Sequence, residues 1–430
     1  MASKSLKAWE QPPLHPSNRF PANSAPDLRR LSRRLSCALL YSLSAAALLL
    51  SGCTRKHLPQ YPSNLREYAY VTNGGSNTVT VVNVKYLRVD RTIQVGHNPE
   101  GIAASPSRNE VYVVNTGNRG SNGSISVIDA QTSTVTATIP VQRQPHFIDV
   151  DPTGQRAYVA NSGSNSVSVI DLEKRKQIAI IGVGENPQRA ILAPNGNSLI
   201  VTNQKSGSVS IIDPRTFKVR SVWSGCPQAS DAVILPDSSK AFIACSGSLH
   251  VMVIGLAQQP DKNHPNRRTL PDRELALLDV GTTPVHLALK PDGGEIFVSN
   301  FGSDTISEIN TSTNEVGGAY LVGAQPSYGI VGSDDSTLWV SNFNANTIGV
   351  YSIDYGKLIN TVHVGDGPNA LAFSADGFWL FAADQNSGDI SVVRTLSYTQ
   401  HGVPVAGRLF TILPAGSHPN AIVVKTFAVK

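Results

Sequence analysis

Charge is scarce in this chain. Asp, Glu, Lys and Arg make up 16% of 430 residues, while Gly and Pro are plentiful and Val, Ile, Ser, Thr and Asn recur throughout. That balance points to many short strands joined by turns and away from a helical protein. An excess of one sign is missing from the body as well. The net charge is +5, but residues 1–52 alone hold seven basic groups (Lys4, Lys7, Arg19, Arg29, Arg30, Arg33, Arg34) against two acids (Glu10, Asp27). The remainder holds 29 basic and 29 acidic groups. A neutral body lacks the global field that draws a protein to nucleic acid.

Enzyme signatures are also lacking. There is no Cys-x-x-Cys-His, no Gly-x-Ser-x-Gly, no His-Glu-x-x-His and no phosphate loop, so no haem, nucleophile-elbow, zincin or P-loop chemistry is indicated. No cofactor and no catalytic residue is assigned. Asp334-Asp335 and the Asp384/Asp389 pair read as turn-forming residues.

Long apolar runs are confined to the start of the chain. Arg29-Arg30-Leu31-Ser32-Arg33-Arg34 precedes a 16-residue uncharged stretch, Leu35 to Leu50, which ends in Leu50-Ser51-Gly52-Cys53. Basic run, short apolar run, then small-small-Cys is the order of a lipoprotein signal peptide, and the stretch is short for a membrane span. Residues 1–52 are expected to be a signal peptide and Cys53 to be the lipidated residue. Residues 53–66 would form a tether and residues 67–430 the folded body. The expected location is the cell envelope, facing the periplasm. Thr54, where an inner-membrane retention signal would place Asp, favours the outer membrane.

The body is a repeat. An apolar run ending in Asn appears as Tyr70-Val71-Thr72-Asn73 and returns ending at Asn115, Asn161, Asn203, Asn300 and Asn342, with Cys245 and Asp384 as variants. Spacings between these last residues are 42, 46, 42, 42, 55, 42 and 42. A polar turn and an alternating strand follow, then a strand running into Gly, then Pro, two variable residues and another apolar strand. Apolar–polar alternation marks strands, and Asn/Gly/Pro/Asp clusters mark turns. Four strands per repeat of this length fit a propeller blade. The expected fold is all-β: a β-propeller of four-stranded antiparallel blades, eight in number with seven as the alternative. The chain opens with the Asn-ending strand and closes with a post-Pro strand, so the C-terminal strand is expected to complete the N-terminal blade. Residues 257–273, rich in Pro and charge, account for the 55-residue spacing as an insertion in blade five.

Tyr-Val-Thr-Asn with the downstream Pro and Pro-x-Gly turn resembles the YVTN-type β-propeller repeat family over residues 67–430. The resemblance implies that the post-Pro strand is innermost, so the two residues after each Pro rim the central channel. Candidate ligand residues there are Glu100, His146, Gln188 and Arg189, then His286, Tyr328, Asn369 and Asn420. In blade five Gln228 and Ala229 take this place. Varied polar groups on a constant frame, converging on a concavity, suggest a binding site. His97, His146, His286 and His418 lie near repeat prolines but at different offsets, so no metal site is expected.

Cysteine is nearly absent: Cys37 lies in the leader, Cys53 is the lipid site, and only Cys226 and Cys245 remain. Both stand in blade five, one before Pro227 and one in place of the repeat Asn. In an exported protein this predicts a disulfide. The stretch from Pro227 to Pro236 looks two residues longer than its counterparts, which would require a bulge.

The expected function is a non-enzymatic binding or scaffold module: a monomer attached to a membrane through its N-terminal lipid, with an envelope protein or small ligand at the channel rim. One alternative is a propeller hydrolase or lactonase using Glu100, His146, Arg189 and His286. The other is single-stranded nucleic-acid binding through Arg119, Lys205, Phe301 and Phe343, which the neutral body disfavours.

Overall fold

The structure is a computed structural model that describes residues 62–258, 270–398 and 404–429. The expected leader, Cys53, most of the tether and most of the 257–273 insertion lie outside these residues. Among the described residues, eight four-stranded antiparallel sheets form a propeller of eight blades, not seven. Blades two to eight each use four consecutive strands, beginning with the innermost; blade two runs Pro99–Ala104, Glu110–Asn115, Asn122–Asp129 and Thr134–Arg143. Blade one is composite. Leu65–Asn73, Thr78–Asn83 and Arg88–Gln94 are completed on the inside by Pro419–Ala428, with Val71 opposite Ile422 and Tyr70 opposite Val423. Its first strand starts at Leu65, ahead of the expected Glu67. The innermost strands pack against one another around the axis.

The core lies between blades. The fourth residue from the end of the second strand is aromatic in seven blades, and Tyr70, Tyr112, Tyr158, Phe242, Phe297, Trp339 and Phe381 are all buried. Tyr70 packs with Val79 and Val81 of its own blade and with Val111, Val113 and Ile128 of blade two. Each such ring contributes about 2–3 kcal/mol by burial. Outermost strands alternate exposed and covered residues, as in Lys176–Gly182, because only one face meets a neighbour.

The repeat Asn and the repeat Gly form one device. The Asn115 carboxamide Nδ2 donates to Ser124 Oγ at 3.1 Å and Ser126 Oγ at 2.9 Å, tying the second strand to the third. A Cβ on Gly96 would lie 2.6 Å from Asn115 Cγ, so in this blade glycine lets the connection close over the amide. Blade eight carries Asp384 in the Asn position. Asp384 is the last residue of its strand and fully buried, which corrects the expectation of a turn-forming Asp. Burial pushes its carboxyl up to about 7, and Ser391 Oγ donates to its Oδ2 at 2.7 Å.

Candidate functional site

Each innermost strand is entered through a residue with positive φ: Asn98, Gln144, Asn186, Gln228, Thr283, Gln325, Gly367 and His418. Non-glycine residues rarely adopt this conformation, and here it recurs once per blade. The carbonyl of each accepts a hydrogen bond from the residue after the second strand, as in Thr116 N to Asn98 O at 3.0 Å and Ser246 N to Gln228 O at 3.3 Å. The entry turn is therefore rigid, and it fixes where the next side chains point.

Gln228 occupies this entry position, so Ala229 stands where other blades have proline. The sequence frame taken from Pro227 was wrong by two residues. Ala229 pairs with Cys245 as Pro187 pairs with Asn203, and the same register shift follows each. The rim pair of blade five is Ser230-Asp231, not Gln228-Ala229. The constant spacing carried the signal: Asn203 to Cys245 is 42 residues, and Pro187 to position 229 is also 42. Cys226 thereby takes the position of the repeat Gly, and it is bonded to Cys245 in the Asn position, with Cα atoms 4.8 Å apart. Both are fully buried.

All eight candidate rim residues line one cavity of about 330 Å³ at the channel mouth, together with Ser230 and Phe147. The second rim residues of five consecutive blades touch in series. The Arg189 guanidinium lies 4.3 Å over the Phe147 ring. Its Nε is 3.0 Å from Asp231 Oδ1. Asp231 Oδ2 is 2.8 Å from His286 Nδ1, and the His286 ring stacks on Tyr328 at 3.9 Å. In the other three blades the same position holds Gly101, Ala370 and Ala421, so one side of the mouth is charged and aromatic while the other is open. Gly101 is required by a close approach, since a Cβ there would meet His146 O at 2.6 Å.

Asp231 anchors the series and was not found from sequence. It is 4% exposed. Burial opposes its ionisation, but Arg189 and His286 outweigh burial and hold the carboxyl down at about 2. Leu287 N also donates to it at 3.0 Å. His286 Nε2 faces Gly329 O at 3.0 Å. Carbonyl and carboxylate oxygens both accept, so each imidazole nitrogen faces an acceptor. Two residues along the strand from Phe147, the Asp149 carboxyl is pushed up to about 6 by burial and accepts from Leu192 N at 2.8 Å.

The remaining candidates differ in engagement. Asn420 is committed to the frame, donating to Pro99 O and accepting from Thr72 Oγ1. Gln188 donates to Asn186 Oδ1. Glu100 Oε1 accepts from Asn98 Nδ2, while its Oε2 lies 3.9 Å from His146 Nε2. The Asn369 carboxamide makes no hydrogen bond among the described residues. His97 and His418 are exposed and do not line the cavity. Of the four residues considered for nucleic acid, Arg119 is exposed, Phe301 and Phe343 are half-buried, and Lys205 pairs with Glu185 at 2.8 Å.

A YNCE-like β-propeller family model matches residues 59–191, and a seven-bladed β-propeller lactonase model matches residues 323–400. No curated protein matches the chain. Among solved structures, Kuenenia stuttgartiensis hydrazine synthase is similar at 20% identity and a TM-score of 0.52, over 66% of this chain and 91% of that one. The dihydro-heme d1 dehydrogenase NirN is similar at 14% identity and a TM-score of 0.64, over 86% and 77%. A candidate 6-phosphogluconolactonase from Bacteroides uniformis is similar at 15% identity and a TM-score of 0.55, over 84% and 100%. At these identities the likeness is one of fold.

Proposed function

We propose that this propeller is a binding module of the cell envelope that holds a small polar ligand in the cavity at its channel mouth without transforming it. The finer placement, a YVTN-type repeat protein carried on a lipid at Cys53 and facing the periplasm, belongs to the same proposal and rests on the sequence.

One observation carries the reading. The acid–base pair of His286 on the cavity wall and the buried Asp231 behind it is closed on itself. Both imidazole nitrogens face acceptors within the protein, which leaves no ring nitrogen to take a proton from a substrate. Such a pair shapes and charges a wall. Denaturing the exported, purified protein and identifying released small molecules by mass spectrometry tests this: an unmodified compound that rebinds the apo-protein is expected. Separately, Cys53→Ala should leave an unprocessed precursor that takes up no clickable palmitate; labelling that persists sinks the lipid anchor.

A hydrolase reading is favoured by a different pair. Glu100 Oε2 and His146 Nε2 lie 3.9 Å apart and half-exposed in the same cavity, a geometry open to general acid–base work. Lactone turnover that disappears in Glu100→Gln would replace the binding proposal with this one.

A further inference from the structure

We infer that the cavity takes a small organic anion, whose carboxylate or phosphate group is gripped by the Nη edge of Arg189 and the Tyr328 hydroxyl; this deepens the ligand-binding proposal and rests on it. A guanidinium has five N–H donors in a rigid plane. In Arg189 two things fix that plane: the Nε contact to Asp231 and the Phe147 ring beneath. No hydrogen bond among the described residues engages its Nη groups, and the side chain, 28% exposed, lines the cavity. A positioned fork with unused donors suits a planar or tetrahedral oxyanion.

Asp231 does not cancel that fork. Its two oxygens already serve Arg189 Nε, His286 Nδ1 and Leu287 N. The guanidinium and the imidazole flank a single, fully engaged carboxylate. Asp231 is thus a positioning residue that holds Arg189 and His286 at the wall. Tyr328 is held by its stack on His286, and burial pushes its phenol up, keeping it a donor. Its hydroxyl makes no hydrogen bond among the described residues.

The rest of the cavity limits the ligand's body. Gly101, Ala370 and Ala421 leave space, and the Asn369 carboxamide and Glu100 Oε2 offer partners for hydroxyl or amine groups. A volume of about 330 Å³ fits a metabolite rather than a polymer segment.

Isothermal titration of the mature protein at neutral pH tests this with malonate and inorganic phosphate, against malonamide as the neutral isostere of malonate. At least one anion should bind, and malonamide about tenfold more weakly or worse. Arg189→Lys keeps the charge beside Asp231 but loses the fork, so anion affinity should fall about tenfold. Tyr328→Phe, the milder variant, should cost about threefold. Lys205→Ala, outside the cavity, should change nothing. Unchanged affinity in Arg189→Lys, in a variant whose melting temperature is retained, overturns the inference. Malonamide binding as well as malonate overturns the anion class but leaves a ligand cavity standing. If no probe binds at millimolar concentration the inference fails, and the released-metabolite experiment then decides separately whether the cavity binds anything.

Discussion

Ala229 stands opposite Cys245 in the ladder, at the place where the other seven blades set proline opposite Asn or Asp. All three special residues of the repeat (Gly, Pro, Asn) are changed together in blade five, and the contact between Gly and Asn becomes a covalent bond between Cys226 and Cys245. The bond fixes the entry connection to the second strand, at the place where Gly96 closes over Asn115 in blade two.

Peptide mapping of unreduced protein produced in an oxidising compartment should recover Cys226 and Cys245 linked; alkylation of both in the native unreduced state refutes the bond. Replacing both by Ala should destabilise the protein by about 3 kcal/mol, the chain-entropy value for a loop of this size. Cys226→Gly with Cys245→Asn restores the repeat pair and should melt well above the double-Ala variant. Equal melting of the two would show that the Gly–Asn device contributes nothing.

Blade number and closure were legible because period and offset survive any substitution that keeps the strands. Rim positions were legible wherever the repeat proline marks the frame, which is how Arg189 and His286 were found. Asp231 was not, because Pro227 falls two residues before the true frame and mimics its marker. Counting 42 residues from Pro187 finds it. The arrangement of Asp384 was obscured for another reason: sequence shows an Asp beside turn residues, and only packing shows that it fills a buried amide's place.

Asp384 and Asp231 should respond to pH in opposite senses. The Asp384 carboxyl is raised to about 7 in the fold, so its protonated form favours folding. That contribution is complete below the unfolded value near 4 and is lost as pH rises from there to about 7. Asp384→Asn should therefore stabilise the protein at pH 8, by about 2–4 kcal/mol, and do little at pH 4. Denaturant melts at the two pH values check this; a loss of stability at pH 8 contradicts it.

Asp231 is held at about 2, so its contribution is complete above pH 4 and erodes as pH falls toward 2. Asp231→Asn leaves Arg189 and His286 without their counter-charge and should cost about 3–5 kcal/mol at pH 7. Adding Arg189→Met should cost less than the sum of the single changes. Strict additivity would mean the ion pair carries no coupling.

Removing residues 418–430 deletes the inner strand of blade one and bares the Leu65–Asn73 edge. Aggregation or loss of the folded protein is expected. A truncated chain with unchanged melting temperature contradicts the closure.

That closure also sets an order of events. The Thr72 hydroxyl donates to Asn420 Oδ1 across 348 residues of chain, so the first strand to be made has no inner partner until the last has emerged. Loop closure over such a distance is entropically slow, and topologies dominated by non-local pairing fold late. Seven blades can assemble while the ring is still a horseshoe, with one raw strand edge at the leading end. The growing chain must keep that edge from pairing with a neighbour until synthesis ends, and its vulnerability to aggregation is concentrated in that interval.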